Sequence, residues 1–573
     1  MSTRHTIGGN VKRPDGTPAA GVNIVVVDAD IGIDDPLGNA TTRGDGRFEI
    51  EFTADAFEDT FDGDPEPYGH GFDDGETVGQ WSLTLDKTDH ELTAQDPGED
   101  NHPMMEAMED MHHGTGNHRG MTNVPRDPPH PGRGRFGRMF PHLEAADHDV
   151  AFLKELGLPG GPLDEDANPE SVDTADLPAG FVFLGQFIDH DLTLDPLSSL
   201  SRQNDPDAIR NFRTPRLDLD SVYGAGPETD RFRYQSPMAG GSRELLLLGK
   251  DGHHLPRNHE DVALIADPRN DENLILSQFQ YAMLNFHNAI VEEEGEDFEH
   301  AQQLARWHYQ WIVLHEYLPT VCDEDVVESV RDERQFFTVG PEEEAFMPLE
   351  FAGAAYRFGH SQARLRYRVN ESTEGKLFGS PMDSDALSPG FQPVSPDDAV
   401  DWRYLFDLDD HDVAPQNARA IDPKVASDLL DLPFITADEP WRNSLASRNL
   451  VRGHQLGLPS GPTIARAIPD TRVLHNHEVG FDEVLARFDQ PAATEMPLWY
   501  YVLAEAREFT NGEHLGPVGS RIVAEVLVGL IASDTSSFLV VQPDWTPTLP
   551  APHAGIDDFT AADLLDFALD ITE

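Results

Sequence analysis

The chain has 573 residues, with 41 Lys plus Arg against 104 Asp plus Glu, so its formal charge is 41 − 104 = −63. Its length exceeds one typical domain, and acidity spread along the whole chain excludes nucleic acid and anionic membrane as expected partners. The single cysteine, Cys322, excludes an intrachain disulfide framework, a Cys-rich zinc site and a Cys-ligated iron–sulfur cluster. The acidity reads as a solvated coat that keeps a protein soluble in concentrated salt, where screening weakens self-repulsion. The start, MSTRHTIGGNVKRPDG, lacks the apolar stretch of a secretory signal, and no apolar run is long enough to span a bilayer. The expectation is a cytoplasmic protein without a membrane span.

Residues 1–92 predict a small all-β sandwich: TIGGNVKRPDG, VNIVVVDAD, RFEIEF after the turn RGDG, and QWSLTLD alternate and are separated by Gly/Asp turns. GNVKRPDGTPAAGVNIVVVDAD and GDGRFEI resemble transthyretin-like or carboxypeptidase-regulatory-like modules, which are usually non-catalytic. Residues 93–131 are polar and rich in Met, His, Pro and Gly (NHPMMEAMEDMHHGTGNHRGM) and read as a flexible linker. The Met/His cluster has soft-metal ligands, but nothing fixes a coordination geometry.

From Gly132 onward the pattern is helical, so residues 132–573 form a mainly α domain. Leu304, Trp307, Trp311, Leu314 and Leu318 recur in steps of three and four, and Pro319 is expected to stop that helix. Leu276, Phe279, Met283, Phe286 and Ile290 form one apolar face, and Val523, Val526, Leu527 and Leu530 another.

Five segments carry chemistry. In AGFVFLGQFIDHDLTLDP an apolar helix holds Gln186, Asp189 and His190 on one face, with Asp191 turned about 100° away from His190. Buried polar groups need partners, which favours a site over surface carboxylates. In TPRLDLDSVYG, Thr214, Arg216, Asp218 and Asp220 alternate as in an extended loop that turns hard oxygens one way, a pattern suited to calcium. A solvated acidic loop is the competing reading. In ADPRNDENLILSQF, Arg269 and Glu272 stand one turn apart, the spacing of an ordinary surface ion pair. FAGAAYRFGHSQARLRYR places His360 after a glycine, with Arg357 one turn earlier, and SRNLVRGHQLGLPSG offers Asn449 and Arg452. Taken alone, His360 is more simply a packed or surface histidine.

Together, in order, GQFIDHDLT, LDSVYG, PRNDEN, YRFGH and NLVRGHQLGLPSG resemble the animal-type haem peroxidases of the peroxidase–cyclooxygenase superfamily, in their bacterial and archaeal branch. The resemblance implies a haem b cofactor, hydrogen peroxide as oxidant and small organic or halide donors, and it makes an extracellular compartment the alternative to the cytoplasmic expectation. His190 is similar to the distal base, Arg269 to the distal arginine and Gln186 to the distal glutamine. His360 resembles the axial iron ligand, Asn449 its hydrogen-bonding partner, and Arg357 and Arg452 the residues that pair with haem propionates. Asp191, Thr214, Arg216 through its carbonyl, Asp218 and Asp220 resemble a structural calcium site, with Asp220 where the family usually has serine. Asp189 and Glu272 match the carboxylates that form ester links to haem. Asn273 stands where some relatives carry a methionine for a sulfonium link, so bromide, iodide or thiocyanate is expected ahead of chloride. Two alternatives stay open. A fatty-acid dioxygenase of the same superfamily needs a tyrosine one turn before the axial histidine, where this chain has Arg357, with Tyr356 one residue further back. A non-catalytic binding protein keeping the fold is the other.

Overall fold

The computed structural model describes residues 4–13, 17–19, 23–28, 35–43, 45, 47–53, 67–73, 76–82 and 90–93, and then 135–571 except 166–172, 195–210, 237–240, 243, 251–252, 296, 341–344, 379–384, 388–389, 409–412, 433–434 and 436–438. The chain divides into two compact units, Met1–Ala107 with Asp207–Ile209, and Met108–Pro206 with Arg210–Glu573. The Met/His segment lies outside the described residues.

Among its described residues the first unit contains seven strands: β1 (Arg4–Lys12), β2 (Asn23–Asp28), β3 (Asp35–Thr41), β4 (Arg47–Thr53), β5 (Pro67–Asp73), β6 (Glu76–Ser82) and β7 (His90–Thr93). They form a three-stranded sheet of order β4-β1-β7 and a four-stranded sheet of order β3-β2-β5-β6. β1 and β4 run antiparallel with Ile7 opposite Ile50 and Gly9 opposite Phe48, while β7 joins β1 in parallel. Ile7, Val11, Phe48 and Ile50 are buried, which is the period-two burial expected of strands with one covered face. Of QWSLTLD, only Gln80–Ser82 falls in a described strand.

The second unit is helical. The elements that build the site are α1 (Val150–Leu156), α2 (Gly180–Leu192), α3 (Leu274–Glu293), α4 (Phe298–Ile312), α5 (Leu445–Gln455), α6 (Leu498–Thr510), α7 (Pro517–Ser533) and α8 (Ala561–Leu569). α3 starts where Asn273 caps it, its Oδ1 accepting from Leu276 N at 2.9 Å. Asn273 is thus committed to a helix cap. Leu276, Phe279, Met283, Phe286 and Ile290 are all buried, each worth about 1.5–3 kcal/mol of transfer free energy. α3 packs on α2 through Phe187 and Phe279, ring centroids 5.2 Å apart, and on α8 through Phe286 and Phe567 at 5.8 Å.

Two local expectations fail for identifiable reasons. The helix begun by α4 does not stop at Pro319: a π-helical turn, Val313–Tyr317, follows it, and an α turn, Leu318–Val321, contains the proline in its first positions. The shift of register ahead of the proline accommodates its missing N–H. The loop from Thr214 is not extended through Asp220 either. Leu219 takes left-handed φ/ψ of 62° and 34°, and Asp220 opens a short helix, Asp220–Tyr223. Among the described residues no helix is long and apolar enough to cross a membrane.

Candidate active site

One cavity brings together residues from α2 and from the segment around His360. Gln186 and Asp189 line it from α2, and Arg357, Gly359 and His360 line it with Tyr356 and Tyr317. Much of the remaining wall is apolar, including Phe181, Phe183, Phe378 and Leu432, which suits a flat apolar cofactor with polar edges. Tyr356 donates to Tyr317 Oη at 3.1 Å, and Tyr317 reaches α2 because residue 185 is glycine: a Cβ there would lie 2.5 Å from the Tyr317 hydroxyl oxygen. His190, Arg269, Glu272 and Arg452 are buried and are not part of the cavity wall.

His190 is wholly buried at the C-terminal turn of α2. Its Nδ1 lies 2.7 Å from Asn270 Oδ1, and Asn270 Nδ2 donates to Gln280 Oε1 at 2.6 Å. Because that second bond turns the Asn270 oxygen toward the ring, Nδ1 carries the proton and donates, which leaves Nε2 with the lone pair of a base. Gln186 donates to Glu272 Oε1. Burial holds the Glu272 carboxyl well above the usual range, against the pull of Arg269. Arg269 and Glu272 are therefore not the surface ion pair that their spacing alone suggests.

Arg269 is wholly buried and held on three sides. Its Nε and Nη2 fork onto Asp267 at 3.0 and 2.7 Å, and Nη2 also donates to the carbonyls of His190 at 3.0 Å and Thr193 at 2.6 Å. Its Nη1 is buried with no hydrogen-bond partner among the described residues. A buried guanidinium nitrogen in that state is a place for an anionic or strongly polar group. Asp267 also takes Arg213, whose Nε and Nη2 lie 3.0 and 2.6 Å away. Burial would raise the Asp267 pKa, but Arg269 and Arg213 hold it far below the usual range. Asp267→Ala strands two buried cations and should cost about 3–5 kcal/mol, read as a lowered denaturation midpoint; Asp267→Asn should cost less. Equal stability of the alanine variant and wild type would contradict this account.

On the other side of α2, Asp191, Asp218 and Asp220 bring carboxylate oxygens within 4.8 Å of one another. Asp191 is oriented by Ser221, whose Oγ donates at 2.7 Å, and by the Leu219 N–H at 3.2 Å. Thr214 Oγ1 donates to Asp218 at 2.8 Å and sits 3.2 Å from Asp220 Oδ2. Arg216 points its side chain away, to Asp534 at 3.3 Å. Burial first, and the neighbouring carboxylates next, raise Asp191 and Asp218, Asp218 to about 7. When ionised, Asp191, Asp218 and Asp220 gather three negative charges beside the cation Arg213, an excess that a divalent cation would reduce.

Asn449, on α5, places Nδ2 2.7 Å from His360 Nδ1, while its Oδ1 accepts from Arg357 Nη1 at 3.3 Å. Arg357 is fixed further by its Nε bond to Ala352 O at 2.8 Å, and Trp499 on α6 donates to the Arg357 carbonyl at 3.0 Å. In this arrangement the imidazole proton sits on Nε2. Metal binding through Nε2 needs the proton on Nδ1, donated to Asn449 Oδ1, which a half-turn of the amide supplies. The same half-turn takes the amide oxygen away from Arg357. Arg452 lies one turn after Asn449 on α5.

Residues 198–468 match the family model described as animal haem peroxidase. The match spans the Thr214–Asp220 loop, Arg269, Glu272, Arg357, His360, Asn449 and Arg452, and begins after α2. Peroxidase A from Dictyostelium discoideum superposes with a TM-score of 0.51 at 16% identity, over 76% of this chain and 95% of that one. The fold is the haem peroxidase fold. Fatty acid alpha-dioxygenase from Arabidopsis thaliana has a TM-score of 0.48 at 14% identity, over 70% of this chain and 73% of that one, and the Oryza sativa enzyme 0.44 at 14%, over 69% and 81%. No curated protein matches the chain.

Within this haem peroxidase fold, the residues that sequence reasoning missed are those that hold others in place: Asn270 on His190 with Gln280 on Asn270, Asp267 on Arg269 with Arg213 on Asp267, and Ser221 on Asp191. Asn270 and Asp267 flank Arg269 in ADPRND, yet nothing in that string says which carboxylate faces which cation.

Proposed function

We propose that the chain is a haem peroxidase that reduces hydrogen peroxide and oxidises small organic donors or halides, with bromide, iodide or thiocyanate ahead of chloride. The observation that carries the reading is His190, held by Asn270 as a base, beside an Arg269 whose Nη1 has no partner among the described residues. His360 is the residue to hold the iron, and Arg357 and Arg452 the cations to meet the propionates. The haem, when bound, supplies the iron centre at which peroxide accepts two electrons. Nε2 of His190 takes the proton from one peroxide oxygen and returns it to the departing oxygen. Arg269 stabilises the negative charge developing there, in a site dry enough to make that cation effective. Gln186 orients water or a halide at the cavity wall, and Asp189 and Glu272 are the carboxylates available for ester links to the haem.

The test is a spectrum of purified protein supplied with haem, followed by steady-state assays with iodide, bromide, thiocyanate and a phenol. Absence of a Soret band sinks the reading. A dioxygenase reading has one observation in its favour, the cavity-lining Tyr356 with its bond to Tyr317. Oxygen uptake with a fatty acid, lost in Tyr356→Phe, would support it in place of the peroxidase. The β strands of residues 1–92 are read as a separate non-catalytic module joined by a linker, and the compartment as cytoplasmic.

The same reading assigns a calcium ion to Asp191, Asp218 and Asp220 with Thr214 and the Arg216 carbonyl. Without the ion, the folded carboxylates have raised pKa values and bind more protons than the unfolded chain. Stability then falls as pH rises from about 4, the ordinary carboxylate value, towards the value of about 7 reached by Asp218. Calcium at about a hundred times its Kd should add about 2.7 kcal/mol. In chelator the melting temperature should drop between pH 5 and 8, and calcium should abolish most of that drop. Identical curves with and without calcium would remove the ion from the assignment.

A further inference from the structure

Asp267 is the middle of a buried chain of alternating charge that runs from the carboxylate cluster to Arg269. Asp220 divides its two oxygens: Oδ2 accepts from Thr214 N at 3.1 Å within the cluster, while Oδ1 lies 3.4 Å from Arg213 Nη1. Arg213 puts its other two nitrogens on Asp267 Oδ2, at 3.0 and 2.6 Å. Asp267 passes that contact on, since Oδ2 also takes Arg269 Nη2 at 2.7 Å and Oδ1 takes Arg269 Nε at 3.0 Å. All four side chains are buried, so their charges are weakly screened and each partner's share depends on the next.

We propose that Arg213 and Asp267 are positioning residues that couple occupancy of the carboxylate cluster by a divalent cation to the strength with which Arg269 Nη1 holds an anion at the haem site. The inference rests on the haem peroxidase and calcium readings above. With a cation bound, Asp220 shares its charge with the ion, and Arg213 leans harder on Asp267. Asp267 then neutralises less of Arg269, and Nη1 meets an incoming anion with more of its charge. Without the cation, Asp220 engages Arg213, and Asp267 is left to Arg269. A cation held by Asp191 also steadies the end of α2, next to His190, and Arg269 bonds to carbonyls there. Arg213 separates the two routes, because its side chain bonds to Asp220, Asp267 and the Ala266 carbonyl, none of which lies on α2.

Linkage makes the coupling reciprocal, so it can be read from either end. On the haem-loaded full-length protein, fluoride is titrated by its Soret shift in chelator and in calcium. Calcium is expected to tighten fluoride about tenfold in the wild type, within the usual range of intramolecular coupling, and about twofold or less in Arg213→Lys, which keeps the charge and loses the fork. From the other end, calcium calorimetry on Arg269→Gln, which needs no haem, is expected to show a calcium Kd several-fold different from wild type, and Arg213→Lys is expected to shrink that difference. A wild-type fluoride ratio near one, or an undiminished ratio in Arg213→Lys, overturns the proposal. If the protein takes up no haem, the peroxidase reading fails by itself, and calorimetry still decides the relay: a calcium Kd unchanged by Arg269→Gln overturns it. Should Arg213→Lys not fold, Asp267→Asn serves in its place, with the same loss of calcium dependence expected.

Discussion

His190→Ala is expected to lower the rate at which the haem-loaded protein reacts with hydrogen peroxide by about two to four orders of magnitude, the usual size of a general-base contribution. Stopped-flow spectra of the Soret region measure this step directly, before any donor is involved. The structure sharpens the expectation. Nδ1 is fixed as a donor by Asn270, which Gln280 orients in turn. Asn270→Ala should therefore cost less than His190→Ala, since the imidazole stays but its tautomer and aim are no longer set. Asn270→Asp is the more informative partner: a carboxylate beside Nδ1 favours the imidazolium, so the pH at which the rate falls should rise relative to wild type. A wild-type rate in His190→Ala would remove the residue from the chemistry, and a rate as low in Asn270→Ala as in His190→Ala would mean that the ring is not held by its own packing at all.

The parts of this architecture that can be read from sequence are those with a period. The apolar faces of α3 and of α7 are marked by Leu276 to Ile290 and Val523 to Leu530, all now buried, and the turn of α2 that separates Asp191 from His190 follows from helix geometry alone. What leaves no period is the meeting of polar groups far apart in the chain. Arg213 and Asp267 are separated by 54 residues, and His190 and Asn270 by 80. Each such pair forms because a buried ion or imidazole must find a partner, and many folds could supply one. Local strain is equally silent: nothing in TPRLDLDSVYG announces the left-handed Leu219 that turns Asp220 out of an extended run. The proline rule failed at Pro319 because a π turn, a tertiary accommodation, absorbed the missing donor. The candidate site residues come by a different route, resemblance over five spaced motifs, and the family match extends over the last four of them.

His360→Ala should give the second large effect, and of another kind: loss of bound haem rather than loss of rate in bound haem. Removing a group that orients a metal ligand costs about 10–100-fold in metal affinity or activity, so Asn449→Ala should weaken haem retention by that order, and removal of the ligand itself should exceed it. The absorbance ratio of the Soret band to protein, after desalting from excess haem, measures both. His190→Ala should keep a ratio near wild type, because the proposal gives that side chain a part in proton transfer and none in holding the iron. Imidazole added to His360→Ala should restore part of the band by filling the vacated position. Asn449 offers a finer check. If His360 held the iron through Nε2, the proton would sit on Nδ1, and the half-turn of the Asn449 amide that this requires would remove its oxygen from Arg357. On the proposed reading, haem binding would free Arg357 to meet a carboxylate of the cofactor, and Arg357→Gln should weaken haem retention. If His360→Ala retains haem as well as wild type, the axial ligand lies elsewhere, and the pairing of His360 with Asn449 is only a feature of packing.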